Sequence, residues 1–309
     1  MKKFVIALAT LALTAGMASA QDINAALEVY NNALAQAEFD KEAALTGLKD
    51  ALQQGIALGD EGAELVANCK NAIPSLTLSL AKTQINEGEY DKAVETLAAA
   101  EALAKEYGNE DIPAEIPALT LAIYKRRGAQ SFKDQNWEAA LADLTKVVAA
   151  DSTDGNSFVK IGQAQTKLGN IDEALEAFKL AAANGKEQQV SKTIANIYKK
   201  KAIVAQKAGN LTEAIEHLAA SNDYNVDPGN LRSIGGLYNK LGKLKDSNEA
   251  YIKYLELAPN APDADGVKYT IAVNAQKIKD YATAKAYYSK LLGNETYAAE
   301  AKKQLGLLK

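Results

Sequence analysis

The sequence predicts an all-α chain in which antiparallel helix hairpins stack one after another. Three observations predict it. Strong helix formers (Ala, Leu, Lys, Glu and Gln) dominate after Gln21. No stretch sustains the alternation of apolar and polar residues that marks a strand. One phrase also recurs: LGNIDEALEAFKLA at 168–181 has a near-copy, AGNLTEAIEHLAAS, at 208–221.

The first twenty residues read as a leader. Lys2 and Lys3 give a basic start, an apolar run follows from Phe4 to about Leu13, and Ala18-Ser19-Ala20 is a small-x-small cleavage site. That is the layout of a cleaved secretory signal peptide over 1–20. The expectation is export, to the periplasm or out of the cell, with the mature chain starting at Gln21. The apolar run is shorter than the about 20 residues a membrane-spanning helix needs, so no transmembrane segment is expected. The formal net charge is −4, and loss of the two lysines makes it more acidic. A nucleic-acid binder would show a basic footprint, so none is expected as a partner. Cys69 is the only cysteine, which excludes an intrachain disulfide and leaves stability to packing.

Taken in order, residues 21–60 form an N-terminal hairpin with Phe39 as its turn plug. Residues 61–87 are helical in period apart from Pro74, which either starts a new helix or kinks a long one. Six segments then align without gaps: 86–100, 133–147, 167–181, 207–221, 240–254 and 277–291. Their spacing scatters around about 34 residues, the length of a helix–turn–helix repeat, and the array spans 61–292 in about six units. The longest irregular connection is YGNEDIPAEIP, Tyr107 to Pro117, the expected hinge. Residues 293–309 should close the array with a capping helix, because a terminal unit needs a polar outer face.

The recurring residues have physical jobs. Gly88, Gly169, Gly209 and Gly242 sit where one helix must stop in a left-handed backbone. Tyr90, Trp137, Ile171, Leu211, Leu244 and Tyr281 should plug the turn. Ala93, Ala140, Ala174, Ala214, Ser247 and Ala284 follow, small enough for two helices to cross closely. One turn on come the large residues Leu97, Leu144, Phe178, Leu218, Tyr251 and Tyr288. On the preceding helices Ala81, Gly128, Gly162, Ala202, Gly235 and Ala272 keep a fixed offset, small expected to face small.

With these residues in phase, the sequence from about 74 to 292 resembles the tetratricopeptide repeat family. The unit Leu231, Ile234-Gly235, Tyr238, Gly242, Tyr251, Pro259 carries nearly the whole family pattern. Gln135 and Lys279 depart from it in place of the turn glycine, and Ser247 in place of alanine. The resemblance implies a right-handed superhelical solenoid whose first helices line a concave, peptide-binding groove.

Little in the chain points to catalysis. His217 is the only histidine and has no ligand partners in the sequence, so it reads as a solvated helix-face residue. Cys69 is in phase with Leu65, Val66 and Ile73 and reads as a buried structural thiol. No phosphate loop, zinc-type cysteine spacing or nucleophile elbow occurs. No enzyme, cofactor or metal is expected. The groove stripe, by its i, i+3, i+7, i+10 spacing, includes Lys125, Phe132, Asn156, Gln163, Asn196, Lys199, Gln206, Arg232, Asn239, Tyr269 and Gln276. Amides both donate and accept and so suit the main chain of an extended peptide. Lys125, Lys199 and Arg232 occupy equivalent places, which points to an acidic side chain or terminal carboxylate on the ligand. The expected function is an exported scaffold holding a protein or peptide. The second reading is a binder of glycans or envelope polymers, for which only Phe132 and Tyr269 offer aromatic platforms.

Overall fold

The structure is a computed structural model and describes residues 19–308. The leader expected over 1–20 therefore lies almost wholly outside the described residues. No strand occurs among them. Two compact units divide between Ala150 and Asp151, inside the stretch the sequence presents as one array.

The first unit contains α1 (Ser19–Gln36), α2 (Lys41–Ala57), α3 (Ala63–Glu87), α4 (Tyr90–Tyr107), α5 (Asp111–Lys133) and α6 (Trp137–Ala150). They pair as hairpins, α1 with α2, α3 with α4 and α5 with α6, and each second helix packs on the first helix of the next pair. The second unit contains α7 (Gly155–Leu168), α8 (Ile171–Ala181), α9 (Glu187–Lys207), α10 (Leu211–Tyr224), α11 (Pro228–Lys240), α12 (Leu244–Leu257), α13 (Ala264–Lys277), α14 (Tyr281–Ser289) and α15 (Ala298–Leu307). Four hairpins follow the same rule, and α15 packs on α14. Within each unit this is the nearest-neighbour stacking of a helical-repeat solenoid.

The turns explain why the hairpins form where they do. Gly88, Gly169, Gly209 and Gly242 have φ of 82°, 85°, 83° and 71°. After each, the next backbone N–H reaches back to close the preceding helix, as from Asn170 to the Gln165 carbonyl at 2.9 Å. Gln135 and Lys279 take the same left-handed conformation, with φ of 61° and 63°, and the same closing bonds run from Asn136 to Ser131 and from Asp280 to Ala275. The second helix then starts on the expected residue every time: Tyr90, Trp137, Ile171, Leu211, Leu244 or Tyr281. These residues flank the turn more than they plug it, since Ile171 and Tyr281 are exposed and the other four half-buried.

Ala93, Ala140, Ala174, Ala214, Ser247 and Ala284 are fully buried at the crossings. The expectation that small residues face small ones needs refinement. A Cβ built on Gly128 would meet Leu144 at 3.0 Å, on Gly162 it would meet Phe178 at 2.8 Å, and on Gly235 it would meet Tyr251 at 2.7 Å. The glycine makes room for the large residue of the partner helix, while the small residue lets the backbones approach. Ser247 shows the second role directly, its hydroxyl donating to the Gly235 carbonyl at 2.8 Å.

Two local expectations are corrected, and a third is decided between its alternatives. The Tyr107–Pro117 stretch is not an irregular hinge: α4 runs to Tyr107 and α5 starts at Asp111, with Pro117 inside it. Asn109 caps α5 by accepting from the backbone N–H groups of Asp111 and Ile112, and a proline near a helix start costs little because the first N–H groups lack partners anyway. Phe39 plugs nothing and is 89% exposed. Asp40 caps α2 through the Ala43 N–H at 2.9 Å, and Ala33, Ala37 and Ala44 are the buried residues around that turn. Of the two alternatives at Pro74, the structure has the long helix and not a new start. Pro74 is buried inside α3, where Cys69, Ile73 and Leu76 anchor the helix on both sides of it.

Candidate functional site

Nine of the expected groove residues fall on the first helices of the second unit, with Asn156 and Asn196, Lys199 and Arg232, and Gln206 and Asn239 in matching register. Asn156 and Gln163 lie exposed on α7, and Asn196 and Gln206 lie exposed on α9. Arg232 and Asn239 follow on α11, the former exposed and the latter half-buried, and Lys199 on α9 is half-buried. In the first unit, Lys125 is exposed on α5, and Phe132 is half-buried against Trp137, edge to face at 5.2 Å between ring centres.

Two expected residues belong to the packing of the C-terminal cap. Tyr269 stacks on Tyr297 at 5.0 Å and meets Tyr288 edge-on. Gln276 accepts from the Tyr288 hydroxyl at 2.9 Å and donates to Gln304 at 2.9 Å. Their rings and amides hold α15 onto α13 and α14, so Tyr269 offers no bare platform to a sugar.

The cations are already engaged. Lys199 pairs with Asp227, the residue that caps α11, and Arg232 pairs with Asp263, which precedes α13. Lys82 on α3 pairs with Glu115 on α5 at 2.5 Å. Each pair links one first helix to the start of the next. Asp227 also accepts the Gly229 N–H at 2.8 Å, and the Lys199 ammonium holds its carboxyl below the ordinary value against the cost of burial. Burial pushes Asp263 up, but the Tyr254 hydroxyl at 2.5 Å and the Arg232 guanidinium outweigh it, and the net direction is down. Both carboxylates are therefore ionised at neutral pH. The sequence offered a signal that went unused: an acid stands at the start of α7, α11 and α13 (Asp154, Asp227, Asp263) at nearly the same distance before the small crossing residue.

Between α11 and α13 a cavity of about 360 Å³ is lined by Arg232, Ser233, Gly236, Tyr251, Asp263 and Thr270, among others. Gly236 and Gly266 keep it open, and burial raises the Tyr251 hydroxyl above the ordinary phenol value, so it stays a neutral donor. The first unit holds a more apolar cavity of about 290 Å³ bounded by Pro113, Ile116, Pro117, Leu121 and Tyr124, with the Lys146 ammonium 4.4 Å from the Tyr124 ring centre.

Groups able to do covalent or metal chemistry are scattered. Among the described residues no cluster of three or more His, Cys, Asp or Glu side chains could hold a metal ion. His217 is packed beside Tyr198, 6.0 Å between ring centres and 3.5 Å from Glu213, and is less solvated than its sequence position suggests. Cys69 is buried in the first core, which pushes its thiol up to about 11 and keeps it a poor nucleophile. No described helix is long and apolar enough to cross a membrane.

The model of one family, the tetratricopeptide repeat, matches residues 156–183, the α7–α8 hairpin with its Gly162–Phe178 contact. That hairpin is a tetratricopeptide-repeat unit. No curated protein matches the chain. Among solved structures it is similar to MamA, at 18% identity over 58% of this chain and 96% of that one, with a TM-score of 0.29. It is also similar to PilF of Pseudomonas aeruginosa, at 14% identity over 76% and 99%, TM-score 0.29. A third is the C-terminal part of a repeat-containing protein of Cytophaga hutchinsonii, at 18% identity over 75% and 95%, TM-score 0.30.

Proposed function

We propose that this tetratricopeptide-repeat protein is an exported scaffold, acting in the periplasm or outside the cell, that holds a protein or peptide partner in the concave groove of its first helices. One observation supports the groove above all. Asn156 and Asn196 stand exposed at equivalent places on α7 and α9, Gln163 and Gln206 stand exposed further along the same stripe, and no hydrogen bond within the chain uses the side-chain amides of the four. Each such amide offers a donor pair and an acceptor, the complement of an extended main chain. The export half of the reading rests on the basic start, apolar run and Ala18-Ser19-Ala20 of the leader.

The test is a photo-crosslinking amino acid at position 196, on the exposed face of α9, compared with one at position 216 on α10. A specific adduct from native envelope at 196 and none at 216 is the expected result. Equal labelling at both would reject the groove, and adducts only to polysaccharide would favour the glycan reading. Sequencing the N-terminus of the secreted chain tests export: it should begin at Gln21.

A further inference from the structure

The sequence singled out Lys199 and Arg232 as hooks for an acidic ligand, yet each meets a carboxylate of this same chain. Stability alone explains the arrangement poorly, because ion pairs at this level of exposure are worth about 0–1 kcal/mol. Capping does not require the charge either, since asparagine caps a helix as well as aspartate does. What the two acids change is the charge of the first-helix face. Around them that face carries the amides of Asn196, Gln206 and Asn239 and the bare backbone of Gly229, Gly236 and Gly266. Once Lys199 and Arg232 are cancelled, the face between α9 and α13 presents hydrogen-bonding groups with little net field. Arg232 spends its Nε on Asp263, and its outer amino groups border the cavity beside the Tyr251 hydroxyl. Those donors suit a carbonyl oxygen of a peptide main chain.

We propose that Asp227 and Asp263 set the ligand specificity of this face: by occupying Lys199 and Arg232 from within the chain, they make it select an uncharged extended peptide segment and turn away acidic ones. This rests on the groove being the binding surface. Discrimination here works by denial, because an acidic ligand gains a cation only by displacing a carboxylate already bonded to it. Lys82 and Glu115 also join one first helix to the next in the first unit, from other places in the repeat.

The experiment uses the full chain and two defined probes, acetylated and amidated (Glu-Ala)4 and (Gln-Ala)4 peptides carrying a fluorophore, read by anisotropy. Wild type should bind the acidic probe no more tightly than the neutral one. The double variant Asp227→Asn/Asp263→Asn keeps the Asp227 cap of α11 as asparagine and removes the negative charge from both cations. Two newly available cations at this exposure should together tighten binding of the acidic probe about fivefold or more over wild type. High salt should erase that gain, and the neutral probe should change by less than about twofold. Glu173→Gln/Asp246→Asn removes the same charge from the second helices α8 and α12 and should give no gain. A wild type that prefers the acidic probe overturns the proposal without any variant. An equal gain from the control pair overturns it too. Because the probes are defined, failure to crosslink a native partner leaves this result standing, and the two readings fail separately.

Discussion

Gly162 lies against the ring of Phe178, so close that a Cβ at position 162 would sit 2.8 Å from ring carbons Cδ1 and Cε1. Phe178 is buried and has no room to retreat. Gly162→Ala should therefore destabilise the protein by about 1–3 kcal/mol despite alanine's better helix propensity. Gly235→Ala should behave alike, since the Tyr251 ring stands in the same relation to it. Gly293→Ala meets nothing within 4 Å and should stay within about 0.5 kcal/mol of wild type. Thermal melts of the three variants decide it: similar midpoints for 162 and 293 would mean that the ring contact does not govern the crossing.

Gln135 and Lys279 hold a left-handed backbone that costs a side-chain-bearing residue about 1–2 kcal/mol. Glycine adopts it freely. Gln135→Gly and Lys279→Gly should each raise stability by up to about 1 kcal/mol, part of the relief being returned to the more flexible unfolded chain. Gly169→Ala, at φ of 85°, should lose a similar amount. Denaturant midpoints would show opposite signs at the two kinds of position. The same sign at all three would refute the strain argument.

How far the sequence revealed this molecule depended on whether a feature was local and repeated. Turn glycines, helix starts and buried small residues recur in phase, so even Gln135 and Lys279 were placed at the right turn by their neighbours. Phe39 had no phase to guide it. Its turn was organised instead by the Asp40 cap, and an aromatic residue near a turn was mistaken for the plug. The Pro-rich stretch before Pro117 misled because prolines were read as breakers when, beside the Asn109 cap, they open a helix. The candidate surface was half legible. Its side chains could be written out by spacing, but the carboxylates facing Lys199 and Arg232 come from 28 and 31 residues away. Only folding brings such partners together, and that is why two paired cations read as unpaired.

Arg127 on α5 makes two hydrogen bonds to Asp143 on α6, at 2.7 and 2.8 Å, and a third to Asp91 at the start of α4. Asp143 is 4% exposed, whereas Asp91 is open to solvent. Removing the arginine would strand a buried carboxylate, and breaking a buried pair in this way costs about 3–5 kcal/mol. Arg127→Ala should approach that range, and Asp91→Ala should cost less than about 1 kcal/mol. The double replacement Arg127→Met/Asp143→Leu, which leaves no stranded charge, should recover much of the loss. If the single arginine variant melts like wild type, Asp143 must find another partner or water.

Acid should expose the carboxylate contacts of the second unit together. The carboxyls of Asp172, Asp227, Asp263, Asp265 and Asp280 are all held below the ordinary value of 3.8, Asp172 by its hydrogen bond from the Lys201 ammonium. For Asp227 the main cause is the Lys199 ammonium, for Asp265 the Lys268 ammonium, and for Asp280 the Thr283 cap. At Asp263, burial works upward and is outweighed by Tyr254 and Arg232. A carboxyl whose folded value lies below its unfolded one favours the folded state above the unfolded value. That contribution is lost as pH falls through the depressed folded values. Stability should therefore be level from neutral pH down to about pH 5 and decline below about pH 4. In the Asp227→Asn/Asp263→Asn variant two of the five titrating groups are gone, so the decline should be shallower although the α11 cap remains. Melting midpoints measured from pH 7 to pH 2 at constant ionic strength test this. A variant that declines as steeply as wild type would place the acid sensitivity elsewhere in the chain.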